Sequence, residues 1–202
     1  MRIDARLRGA ASEIFIALRR PDQLVCRWRD RAARPDDAPD PLVFAALLAS
    51  AIGGIFVYGL TMGLHLGVVP MLVSGTKAPV AAGTAWVIAL PALYVIHSAR
   101  GGKIDASTTL LAALTTVSFG ALAMLASVPI NWFFTLALPF TWSRVLVSLA
   151  VFSGVGFCMG DVFLRVMRAL EPERSLSFPV IWLMLLGVIG TELMLLLDLF
   201  AM

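Results

Sequence analysis

From Leu42 onward the chain is a series of long apolar runs broken by short polar or Pro/Gly-containing joints. Five runs, at about 42–64, 78–97, 108–129, 143–166 and 178–200, each hold the roughly 20 apolar residues that a helix needs to cross a bilayer. Strand-type alternation does not occur in them, so a membrane barrel is not supported. The prediction is an all-α polytopic transmembrane bundle of five spans. Composition agrees: 14% of residues are charged, where a soluble domain carries about 25%.

Two stretches resist a simple reading. Residues 66–76 stay apolar and suit a short interfacial or re-entrant piece. Residues 130–142, INWFFTLALPFTW, hold no charge. Their Trp132, Phe133, Phe134, Phe140 and Trp142 suit an aromatic belt at one interface. Pro129 and Pro139 bracket that segment and speak against a continuous helix.

Charge sets the sidedness. Nine Arg lie in residues 1–40, interleaved with seven acids. The 98–107 loop adds Arg100 and Lys103, and the last connection adds Arg165, Arg168 and Arg174. The opposite side receives only Lys77 and Arg144. The positive-inside rule then predicts a cytoplasmic N-terminus, five spans and an outside C-terminus. No signal peptide is visible before the first apolar run, so insertion through the chain's own spans is expected.

Two domains are predicted: an Arg-rich tail, 1–40, and a transmembrane domain, 41–202. In the tail, Ile3, Leu7, Ile14, Phe15, Leu18, Leu24, Val25 and Trp28 recur at roughly helical spacing, with Arg opposite. Pro21 divides the pattern into two short helices, read as lying on the cytoplasmic leaflet with Arg among anionic lipid headgroups. Membrane anchoring is the plainer role for them; a docking platform is the functional one. The interleaved acids and the lack of a motif speak against a nucleic-acid partner. Residues 34–41 form a Pro-rich linker. Cys26 and Cys158 lie too far apart in character and sequence to suggest a disulfide framework.

Small residues mark candidate packing faces: Gly59, Gly63 and Gly67; Ala45, Ala49 and Gly53; Gly156 and Gly160; Gly187, Gly190 and Thr191. They suit contacts within one bundle or with another subunit or copy. Pro91 should kink the second span.

Ionisable groups within spans are the strongest pointers to function. Asp161 and Arg165 are four apart on one helix and can pair. Lys77, Arg144, Glu192 and Asp198 fall on the outer side. Lys77 is the puzzle, because it opens the second span, where the helix dipole disfavours a cation. Glu192 is the most deeply placed charge. It is expected to face inward and pair with Lys77, Arg144 or a hydroxyl of Ser118 or Thr115; otherwise Lys77 snorkels to lipid phosphate. His65 and His97 are predicted on opposite sides and cannot share a metal. A quinone, haem or chlorophyll could use either, but no second ligand accompanies them, and cofactors stay unassigned. Nucleotide-binding loops, zinc spacings and nucleophile elbows do not occur, so no catalytic constellation is found.

The segments FVYGLTMGL, TKAPVAAG and LPALYVIHS resemble a group of bacterial Yip-domain-like five-span membrane proteins, across about residues 55–130. Tyr58, Gly59, Lys77, Pro79, Pro91 and Tyr94 carry the resemblance. It implies a polar cytosolic tail, five spans and a role in organising membranes. GTPase binding, known in the wider family, does not transfer, because this tail lacks a matching motif. The Ala- and Arg-rich composition suggests a bacterium with GC-rich DNA, hence the inner membrane. The resulting expectation is a non-enzymatic membrane scaffold or accessory subunit beside other membrane subunits or itself. The alternative is a small transporter or ion or proton conductor using Glu192 and Lys77.

Overall fold

A computed structural model describes residues 19–32, 41–138, 140–175, 177–197 and 199, with backbone alone at 31, 32 and 141. They form six α-helices: α1 (Pro21–Ala32), α2 (Pro41–Gly63), α3 (Val68–Ala99), α4 (Ala106–Ala137), α5 (Thr141–Leu170) and α6 (Ser177–Leu196). The last five are long and apolar enough to cross a membrane. No strand occurs among the described residues.

The helices outrun the spans read from sequence. Residues 68–76 are not a separate or re-entrant piece: they are the first turns of α3, whose 32 residues extend about 48 Å. Likewise α4 continues through Pro129 to Ala137. The reason is the same in both places. In an apolar setting every unpaired backbone group is costly, so a helix that loses one bond at a proline still outcompetes an irregular segment. Pro79 and Pro91 also lie inside a continuous α3. Pro139 falls outside the described residues.

Local signals set the ends. Gly67, at φ 111°, makes the turn from α2 into α3 through the short 3-10 turn Leu64–Leu66; this positive φ suits glycine. It is therefore a turn residue, not a packing residue. Asp105 caps α4 by accepting the Thr108 N–H at 3.3 Å.

The long helix α4 is the centre of the bundle. Its apolar stretch is 56% buried, against 17% for α5 and 22% for α6. Close approaches fix α2 on two neighbours. A Cβ at Gly59 would meet the Ala78 Cβ and the Ser74 carbonyl at 2.8 Å, and one at Gly63 would meet the Pro70 carbonyl at 2.6 Å, both on α3. On the other side, a Cβ at Gly54 would meet the Ala121 carbonyl of α4 at 2.7 Å. Ala45 and Ala49 are exposed and Gly53 meets nothing, so that predicted stripe is not a packing face within the chain. Gly54, one residue along, is.

Hydrogen bonds between helices add to these contacts. Ser118 on α4 donates to the Leu47 carbonyl of α2 at 2.8 Å. Asn131 on α4 donates to Thr61 on α2 at 2.6 Å. The Trp182 indole on α6 donates to the Ala89 carbonyl of α3 at 2.9 Å. Each satisfies a buried donor that lipid cannot serve.

The amphipathic α1 corrects a further expectation. Its apolar face does not lie on lipid. Leu24, Val25 and Trp28 are buried in one cluster with Phe163, Val166 and Leu170 of α5 and Trp182 of α6. Residues 21–32 therefore belong to the helical body and not to a separate tail. The shaped protein surface wins over fluid lipid tails because it offers a fixed set of dispersion contacts. In addition, Arg29 donates to the Leu170 carbonyl at 3.2 Å. The apolar positions before Pro21 lie outside the described residues.

Candidate functional site

Three basic segments meet at one end of the bundle. There α1, the loop 101–105 and the loop 171–175 are joined by Arg29 to Leu170, by Arg174 donating to the Arg100 carbonyl at 2.6 Å, and by the Lys103 N–H donating to Glu171 at 2.8 Å. Lys77 and Arg144 lie toward the other end. The described parts of the segments that the positive-charge tally groups on one side are thus together in space.

Four of the cations share one role. Lys77 Nζ donates to the Leu197 carbonyl at the C-terminus of α6, 2.8 Å away. Arg144 Nε donates to the Leu138 carbonyl at the end of α4, at 3.1 Å. Arg29 serves the end of α5 and Arg174 the end of α3. A helix C-terminus exposes unpaired carbonyls and partial negative charge, so a cation there is doubly favourable. This answers the puzzle of Lys77. It does not open a helix: α3 begins at Val68, and Lys77 lies well inside it, facing the C-terminus of another helix.

The expected pairing of Glu192 is not found. No cation lies within ion-pair distance of it among the described residues, and it is exposed on α6. Ser118 is taken by backbone carbonyls, and Thr115 is fully buried elsewhere. Asp198 lies outside the described residues. Asp161 and Arg165 do form an i,i+4 ion pair, exposed on α5.

Glu192 instead lines a long groove between α5 and α6, floored by Met124 of α4, with a volume near 710 Å³. Its walls are unusually bare. Gly156, Gly187 and Gly190 line it, and a Cβ on any of them would meet nothing within 4 Å. Gly154 on α5 is equally open, and Gly160 has only an ordinary contact with Leu183 at 3.8 Å. Gly156 and Gly160, read as suiting contacts within the bundle or with another subunit or copy, therefore do not draw α5 and α6 together. Apart from Glu192, Thr191 and Ser153 the lining is apolar.

A second site lies at the basic end. His97, 6% exposed, places Nε2 3.2 Å from Glu171 Oε2, within ion-pair distance but off the line of a hydrogen bond. Arg174 Nε approaches the same oxygen at 3.5 Å. These groups border a pocket of about 200 Å³ with Arg100, Ser175, Ser177 and Phe178. Spacing did not reveal it, because its members come from α3, α5, α6 and a loop. The one available signal was a histidine followed within three residues by an arginine at a span's end. His65 sits at the opposite end of α3 from His97. No cluster of three metal-ligating side chains occurs among the described residues.

The described residues form a helical bundle with five helices of membrane-crossing length and apolarity, bearing an open groove and a polar pocket. Comparison with family models, curated proteins and solved structures finds no match.

Proposed function

We propose that the chain is a non-enzymatic integral membrane subunit, a scaffold or accessory component that receives a transmembrane helix of a partner subunit between α5 and α6. The basic end faces the cytoplasm, in a bacterial inner membrane. The observation that carries this reading is the α5–α6 groove. Glycines that a Cβ would not crowd leave room for a second backbone, and helices in lipid associate by such close approach. Glu192 gives the groove its chemistry: in hydrocarbon a lone carboxylate is costly, and a basic or hydrogen-bonding side chain on the incoming helix relieves that cost. A membrane-organising role of the Yip-like kind accords with this.

The alternative is a small transporter with Glu192 and Lys77 on its path. It demands that both groups face one route, whereas Lys77 is engaged at the end of α6. The two readings separate by experiment. After gentle solubilisation and affinity purification, the subunit reading expects a partner at fixed stoichiometry with the natural chain, and its loss with Gly187→Leu. A chain that purifies alone and carries flux in liposomes, abolished by Glu192→Gln, would establish the transporter instead.

A further inference from the structure

The pocket at the basic end has the makings of an anion site. Two guanidinium groups, Arg100 and Arg174, border it, against one carboxylate, Glu171. That carboxylate is already occupied, by the Lys103 N–H, Arg174 and His97. Arg100 is not. Its guanidinium lies over the Phe178 ring, 5.3 Å from the centroid, and donates no hydrogen bond among the described residues. A ring face orients a guanidinium while leaving its N–H edge free to bind.

A further feature points the same way. The pocket includes the first turn of α6, a 20-residue helix whose N-terminus carries partial positive charge. There the Ser177 N–H is held by Ser175, and the Phe178 N–H has no acceptor among the described residues. His97 also borders the pocket, with more than nine-tenths of its side chain buried and its Nε2 turned to Glu171 at 3.2 Å. Met167 and Pro179 supply an apolar wall beside these donors.

We infer that this pocket binds a phosphate group, held by Arg100 and Arg174 at the start of α6, with the apolar wall accepting the carbon attached to it. A fixed fork of donors suits phosphate oxygens better than a point charge does. The site lies where a helix enters the bundle from its basic end. A phospholipid headgroup and a small phosphate ester share the recognising chemistry.

The test uses the full chain purified in neutral detergent. Phosphatidylglycerol, phosphatidylcholine and inorganic phosphate are titrated in turn, and binding is read by native mass spectrometry and thermal shift. Saturable one-to-one binding of phosphatidylglycerol is expected, weakened about tenfold by Arg100→Gln through loss of charge-assisted bonds. Ser177→Glu, which places a negative charge at the mouth without removing a cation, should weaken it similarly. Arg168→Gln is the control, because Arg168 is exposed near the same end but outside the pocket; it should change nothing. Displacement of lipid by inorganic phosphate would make a small phosphate the occupant, and persistence of lipid would make it a headgroup. Equal binding by the natural chain, Arg100→Gln and Ser177→Glu would overturn the inference. So would an equal loss in Arg168→Gln, which would indicate diffuse charge attraction.

Discussion

Single cations settle helix ends in this protein. Lys77 shows it most clearly, because its partner is a carbonyl of α6 and not an acid. Lys77→Met should therefore destabilise the chain by about 1–2 kcal/mol, combining a lost hydrogen bond with a lost dipole contact. Glu192→Gln should stay within about 0.5 kcal/mol, since among the described residues Glu192 has no ion pair to lose. Unfolding of both variants in mixed detergent checks this; equal destabilisation would restore the Lys77–Glu192 pair. Asp105 acts at the other kind of helix end. Burial pushes its carboxyl up, but hydrogen bonds from Ser107 and Thr108 outweigh that and hold it below its ordinary value. A carboxyl lowered by folding contributes stability above its unfolded pKa and loses it as pH falls through the folded value. Asp105→Ala should accordingly cost about 1 kcal/mol at neutral pH. The difference from the natural chain should vanish in acid, as thermal unfolding across pH would record.

Among elements, the depth of glycine contacts separates internal seams from open faces. Gly59 touches backbone and Cβ atoms of α3, so Gly59→Val should cost about 3 kcal/mol through overpacking that rigid neighbours cannot relieve. Gly187→Ala should be neutral or slightly stabilising in the isolated chain, because its Cβ meets nothing and alanine favours a helix. Thermal unfolding of the two variants makes the comparison. Both glycines look alike in sequence. Apolar length made the five long helices legible, and the charge tally made their shared basic end legible. Spacing did not show which small residues face a neighbour, since period alone leaves the rotation of a helix about its axis undetermined. For the same reason Gly53 was favoured over Gly54. The helix α1 was legible as amphipathic, but its apolar face fits protein and lipid equally well by composition. Only its packing in one cluster with Phe163 and Val166 of α5 decides. The His97–Glu171 pocket was hidden because it is assembled from residues far apart in the chain.

At the scale of the molecule, the bundle is asymmetric. Glycine seams and interhelical hydrogen bonds draw α2, α3 and α4 together. The α5–α6 side remains open along a groove whose one acid lies roughly 22 Å from the start of α6. Lipid tails can fill such a groove, yet they neither answer Glu192 nor match bare glycine backbone as another helix does. The most direct measurement places a photo-cross-linking amino acid at Gly187 in native membranes, with a second one at the exposed Val87 of α3 as the control. A discrete protein adduct from position 187 and none from 87 is the predicted result. Adducts to lipid alone from both positions would contradict the proposal that this face receives a partner helix.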